Sequence, residues 1–253
     1  MIRVVAGDLA RVLRVYFFPM SIVENVADVR RRISTAALTA GRNPDEITLM
    51  AVSKTFPADS IREAYAAGLR IFGENRVQEF AGKAGALRDL QEAEWHMIGH
   101  LQTNKTAAAA EVFTAVDSLD SLRLAERLNG SAEKLGKKLE VLIEINVGGE
   151  TAKSGLAPDS SELGDLLTAA SGLDHLEFRG LMAIPPFTKD AREARPYFRR
   201  LRALRDQLAG RRLPGVRMDV LSIGMSHDFE VAIEEGSTCV RVGTAIFGRR
   251  EGH

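Results

Sequence analysis

Apolar positions along this chain switch repeatedly between a spacing of three to four residues and short unbroken runs, the two patterns of helices and buried strands. Ile22, Val26, Val29 and Ile33 predict an opening helix, with Arg30, Arg31 and Arg32 on its solvated face. Gly41-Arg-Asn-Pro44 punctuates the chain. The next stretch, Ile47-Thr-Leu-Met-Ala-Val-Ser-Lys54-Thr-Phe-Pro57, is an apolar run closed by a lysine, which reads as a strand buried on both faces in a parallel sheet. A helix over about 58–67 follows, with Ile61, Ala64 and Tyr65 on one side and Gly68 as its stop.

The same alternation then recurs. Strands are predicted at Leu69–Phe72, Trp95–Ile98, Val112–Val116, Leu139–Val147, Leu176–Ile184, Met218–Ile223 and Cys239–Val242. Helices between them start near Asn75 and Asn104, carry Leu119, Leu122, Leu124 and Leu128, then Leu163, Leu166 and Leu167, and run over about 191–209 and 227–235. Eight strands alternating with helices, with no break in composition, predict an α/β protein with a single (β/α)8 TIM-type barrel over 20–253. An open doubly wound sheet fits less well, because no glycine fingerprint opens the first unit.

Composition adds exclusions. The 253 residues hold 34 basic and 34 acidic side chains, so no global charge points to nucleic acid or an anionic membrane. Cys239 is the one cysteine, which rules out an internal disulfide and suits a reducing, cytoplasmic setting. No apolar run reaches the ~18 residues of a membrane span. Residues 1–19 lack the charge–apolar–small order of a signal peptide. They read as a disordered lead or a misassigned start with Met20 as initiator, ahead of a weak amphipathic targeting segment.

In a (β/α)8 barrel the chemistry sits where strands end and βα loops begin. Lys54 shares a face with Met50 and Val52, so it projects from a buried strand end, either as an amine nucleophile of lowered pKa or as a lysine snorkelling to water. Later strand ends supply Gly73-Glu74-Asn75, Gly99-His100, Asp117-Ser118, Asn146 with Gly148-Gly149, Gly224-Met225-Ser226, and Arg241 with Gly243-Thr244. The opposite strand ends show no comparable set. The two glycine–hydroxyl loops after the last strands match an anion site at a helix start. Arg241 needs an acceptor, either a carboxylate such as Glu144 or Asp219 or the ring nitrogen of a bound cofactor. An amine, a phosphate seat and a ring-nitrogen partner together describe pyridoxal 5′-phosphate.

Several other features read as bland. His96 and His100 straddle a strand end and do not form a helical zinc pair. Cys239 reads as packing, and the arginines over about 195–212 as the wet side of a helix whose stripe is Phe198, Leu201, Leu204 and Leu208. Lys153 is a candidate second amine near the mouth.

The blocks Ala51-Val-Ser-Lys54, Phe72-Gly-Glu-Asn75, Trp95-His-Met-Ile-Gly-His-Leu-Gln-Thr-Asn-Lys105, Leu221-Ser-Ile-Gly-Met-Ser226 and Ser237-Thr-Cys-Val-Arg-Val-Gly-Thr-Ala-Ile-Phe-Gly248, in this order, carry a resemblance. From about Met20 onward the chain resembles the pyridoxal phosphate homeostasis protein family, which shares the barrel of the alanine racemases without their β domain. The resemblance implies Lys54 as the Schiff-base lysine, Ser226, Gly243 and Thr244 on the phosphate, Arg241 at the pyridine nitrogen, and Asn75 in the pocket. Gly224, Met225 and Asn146 are expected around the same cofactor. The implied activity is binding and buffering or delivery of the cofactor, which maintains vitamin B6 and amino-acid balance without turnover. Implied partners are amino acids and pyridoxal-phosphate-dependent apo-enzymes, with no nucleic acid or membrane, and the expected state is a monomer. A small amino-acid racemase is the alternative. It needs a second base, and Tyr16, Tyr65 and Tyr197 are all expected away from the mouth.

Overall fold

The computed structural model describes residues 20–150 and 154–248. The expectations for residues 1–19 and for Lys153 lie outside them. Helix α1 (Ile22–Thr39) precedes the barrel, and Ser21 and Glu24 close its first turn as a reciprocal capping box. Units then follow as β1 (Thr48–Val52), α2 (Ala58–Ala66), β2 (Ile71–Glu74), α3 (Val77–Ala84), β3 (Glu94–Met97), α4 (Thr106–Val112), β4 (Ala115–Leu119) and α5 (Leu122–Lys134). The second half comprises β5 (Leu139–Glu144), α6 (Ser161–Ala169), β6 (Leu176–Met182), α7 (Arg195–Gly210), β7 (Val216–Met225), α8 (Phe229–Glu234), β8 (Cys239–Val242) and the short α9 (Thr244–Phe247). The eight parallel strands close in sequence order, and β8 returns beside β1. This is the (β/α)8 barrel that the alternation of patterns predicts.

Side-chain alternation divides the core in two. Outward-facing residues such as Ala51, Phe72, Val116, Ile143 and Val240 pack with the helices in one continuous layer. Inside the barrel, Met50, Ile98 and Cys239 form a separate plug with Val52, Ile71 and Val220. The plug separates a mouth at the C-terminal strand ends from a floor at the N-terminal ends.

Several local expectations change. The fourth strand begins at Ala115, three residues later than predicted, and ends at Leu119, which was expected on the helix that follows. Val112 closes α4, and Phe113 is buried outside the barrel against Phe80, so their apolar character belongs to helix packing. The arginines of α1 are not simply solvated: Arg30 donates to the carbonyls of Ala67 and Gly68, and Arg32 pairs with Glu230 and lies over the Phe229 ring. On α7, Phe198, Leu201 and Leu208 are buried as expected, while Arg195 and Arg199 pair with Glu235.

Candidate functional site

Closure of the barrel brings the first strand's end beside the last one's: Met50 is in register with Arg241, and Ala51 with Val242. A cavity of about 290 Å³ opens there, lined by Lys54, Asn75, Met225, Ser226, Arg241, Gly243 and Thr244 together with apolar walls. These seven residues were predicted from the sequence. The walls are Val52, Phe56, Ile98, Ile184 and Phe187, with His227 at the edge. Sequence reasoning missed them as site residues, since apolar side chains at strand ends look like core. Ile184 and Phe187 carry a recoverable signal: they flank Pro185-Pro186 and remain 41% and 80% exposed at the rim, where Phe187 packs on the His227 ring at 5.6 Å.

Arg241 is 3% exposed, and among the described residues it enters no ion pair. Its guanidinium donates to the Ser222 carbonyl at 2.6 Å, the Ser222 hydroxyl at 2.8 Å and the Ala183 carbonyl at 2.8 Å. Burial pulls its pKa down, although Asp117, Glu144 and Asp228 act at a distance to restore it. The two carboxylates weighed as its partners are engaged elsewhere. Glu144 accepts from Ser154, and burial raises its carboxyl above the usual range. Asp219 pairs with Arg179 and Arg217.

The Ser226 hydroxyl accepts the backbone N–H groups of Gly243 (3.2 Å) and Ala245 (3.3 Å) at the start of α9. The turn that presents Ser226 is held by Asp228, whose Oδ1 accepts from Met225 N–H at 2.7 Å.

Two predicted site residues lie apart from this cavity. Gly224 does not line it. Its φ is +92°, and a Cβ there would fall 2.6 Å from the Ala232 Cβ, so this glycine lets α8 seat against β7. Asn146 lines a separate cavity of about 170 Å³ with Glu144, Ile145, Ser154 and Ile184, and it donates to the Glu150 carbonyl. Ile184 lines both cavities, so the two adjoin at the rim.

The floor of the barrel also overturns an expectation, because it is as rich in charge as the mouth. Glu94, His96, Asp117, Glu140 and Arg179 surround a cavity of about 250 Å³. Asp117, predicted at the mouth, points here because β4 runs on to Leu119. His96 Nδ1 lies 3.0 Å from Asp117 Oδ1, and Arg179 meets Glu140 at 2.7 Å and Asp219 at 3.2 Å. Burial alone would depress His96, but the charge and hydrogen bond of Asp117, helped by Glu94, push it up to about 10. Cys239 also faces this cavity, and burial drives its thiol up to about 12, which disfavours the thiolate that nucleophilic chemistry needs.

A closed (β/α)8 barrel with a lysine at the end of its first strand and an anion-type loop after its last defines a class, and the family model for the alanine racemase N-terminal domain matches residues 25–251. The pyridoxal phosphate homeostasis protein of Aquifex aeolicus is 46% identical over 92% of this chain and 100% of its own length. The protein of that name from Escherichia coli K12 is 46% identical over 91% and 97%. The solved structure of PipY from Synechococcus elongatus PCC7942 with PLP bound superposes with a TM-score of 0.78 at 39% identity, covering 90% of this chain and 100% of that one. The chain belongs to the pyridoxal phosphate homeostasis protein family. The names of these relatives describe homeostasis, not a catalysed reaction. Among the described residues, no helix is long and apolar enough to cross a membrane.

Proposed function

We propose that this protein binds pyridoxal 5′-phosphate through a Schiff base to Lys54 and buffers or delivers it, as a monomeric cytoplasmic carrier without turnover of its own. The observation that carries this reading is one cavity uniting Lys54, the buried Arg241 and the Ser226–Gly243–Thr244 loop pair. Its volume of about 290 Å³ lies at the small end of ligand sites, roughly 300–1,000 Å³, as suits a single substituted ring. A relative 39% identical to this chain is described with PLP bound.

When bound, the cofactor supplies an aldehyde carbon open to attack by an amine. Lys54 would hold the cofactor there through its neutral amine, the aldehyde oxygen leaving as water with the two amine hydrogens. Val52, Phe56 and Ile98 offer the apolar faces that a ring packs against. Arg241, always charged, would keep a proton off the ring nitrogen of a bound cofactor, which would weaken the ring as an electron sink and fits storage better than catalysis. Ser226 and the start of α9 present hydroxyl and N–H donors to a phosphate.

Borohydride reduction of the PLP-loaded protein followed by peptide mass analysis should place the cofactor on Lys54. Protein that takes up no PLP, or fixes it on another lysine, would overturn the reading. Delivery is tested by mixing loaded protein with a PLP-dependent apo-enzyme and following activation in the presence of a scavenger of free PLP.

A further inference from the structure

The backbone that carries Lys54 is gripped from outside the barrel wall. Thr55, the next residue, has φ of 70°, a left-handed conformation that a β-branched residue rarely adopts. Three side chains on β2 and α3 surround this turn. Glu79 accepts the Thr55 N–H at 2.5 Å. Lys83, one helical turn later, donates to the Ser53 carbonyl at 3.1 Å and the Phe56 carbonyl at 3.3 Å, the two that bracket Lys54 and Thr55. The Lys83 ammonium also meets Glu74 at 2.8 Å and Glu79 at 3.6 Å, and Ser53 donates to the same Glu74 oxygen at 2.5 Å.

Glu74 is fully buried and the Lys83 side chain is 13% exposed. A buried ion pair is a poor way to gain stability when an apolar pair could fill the same space. What an apolar pair cannot do is donate to two carbonyls of a turn held in an unfavourable conformation. The cavity around Lys54 is lined by other residues, so the cluster acts on the amine through the backbone.

We infer that Lys83, oriented by Glu74 and Glu79, is a positioning residue that fixes the 53–56 turn so that the Lys54 amine meets the aldehyde of the cofactor. The inference rests on the Schiff-base reading above. It separates two properties that a single site would otherwise show together. Non-covalent binding of ring and phosphate depends on Arg241, Ser226 and the apolar walls. Attachment depends in addition on the placement of one amine, where an error of ~1 Å costs up to ~100-fold in rate.

The test compares full-length wild type with Lys83→Met. PLP attachment is followed by borohydride trapping, and non-covalent binding by titration with pyridoxine 5′-phosphate, which keeps ring and phosphate but carries an alcohol in place of the aldehyde. Trapping should slow by about tenfold or more in Lys83→Met, while the Kd for the alcohol stays within about twofold. Lys83→Arg, which restores charge and donors, should recover most of the rate. Glu79→Ala, at a partly exposed position, should lose the rate in the same direction and stands in if Lys83→Met does not fold. In a Thr55→Gly background, where a positive φ carries no steric cost, the penalty of Lys83→Met should shrink. Unchanged trapping in Lys83→Met and Glu79→Ala, or an equal loss of PLP and alcohol binding, overturns the inference. A wild type that traps no PLP on Lys54 instead brings down the Schiff-base reading, and the inference with it.

Discussion

The two ends of the barrel hold cavities of similar size, about 290 Å³ at the mouth and about 250 Å³ at the floor, and both are lined by charged groups. They differ in how those charges are answered. On the floor each cation has a carboxylate: His96 has Asp117, and Arg179 has Glu140 and Asp219. At the mouth the buried Arg241 is held by carbonyls and a hydroxyl, and the start of α9 by a hydroxyl. Charge paired within the protein has its field largely cancelled there, whereas charge held by neutral dipoles keeps its field for a ligand. A polar cavity is therefore weak evidence for a site, and the bookkeeping of its partners is stronger.

The sharpest way to break this comparison is Lys54→Ala. It should abolish borohydride-fixed cofactor, with stability within about 1 kcal/mol of wild type by chemical denaturation, because the side chain is only partly buried. The converse change is His96→Ala on the floor, which strands Asp117 without its cation. It should cost about 3–5 kcal/mol of stability, and the protein that remains folded should still take up PLP with unchanged affinity. Loss of PLP affinity there would mean that the two ends are not independent. Ser226→Ala at the mouth should weaken PLP binding about tenfold, roughly 1.4 kcal/mol, with little effect on unfolding.

The floor pair also carries a pH dependence. His96 in the folded protein is raised to about 10, above an unfolded value near 6.5. Its contribution is therefore fully present below about pH 6.5 and is lost as pH rises through about 10. The stability difference between wild type and His96→Gln should shrink over that interval, and a difference that grows would reverse the sign of the assignment.

How much of this could be read in the sequence follows the same division. Lys54, Asn75, Arg241 and the Ser226 and Gly243-Thr244 loops were legible because each lies at or next to the end of a predicted strand, where barrels keep their chemistry. The floor was not, since His96, Asp117, Glu140 and Arg179 come one from each of four strands and form no local motif. A charged residue inside a strand looks like the wet face of an ordinary sheet until closure of the barrel turns it inward. The start of β4 was lost in the opposite way, because Val112 and Phe113 are apolar for the sake of helix packing. Lys83 and Glu79 read as the polar side of a helix, and nothing in their spacing shows that a turn thirty residues earlier lies against them.

The Ser226 hydroxyl has one further consequence. It already accepts the amide hydrogens of Gly243 and Ala245 at the start of α9, so those two donors are not left bare when the cradle empties. A vessel built this way can be drained without coming apart, and arrival of a phosphate becomes an exchange of one oxygen for another. On the carrier reading proposed above, that makes the vacant form a stable resting state instead of a damaged one.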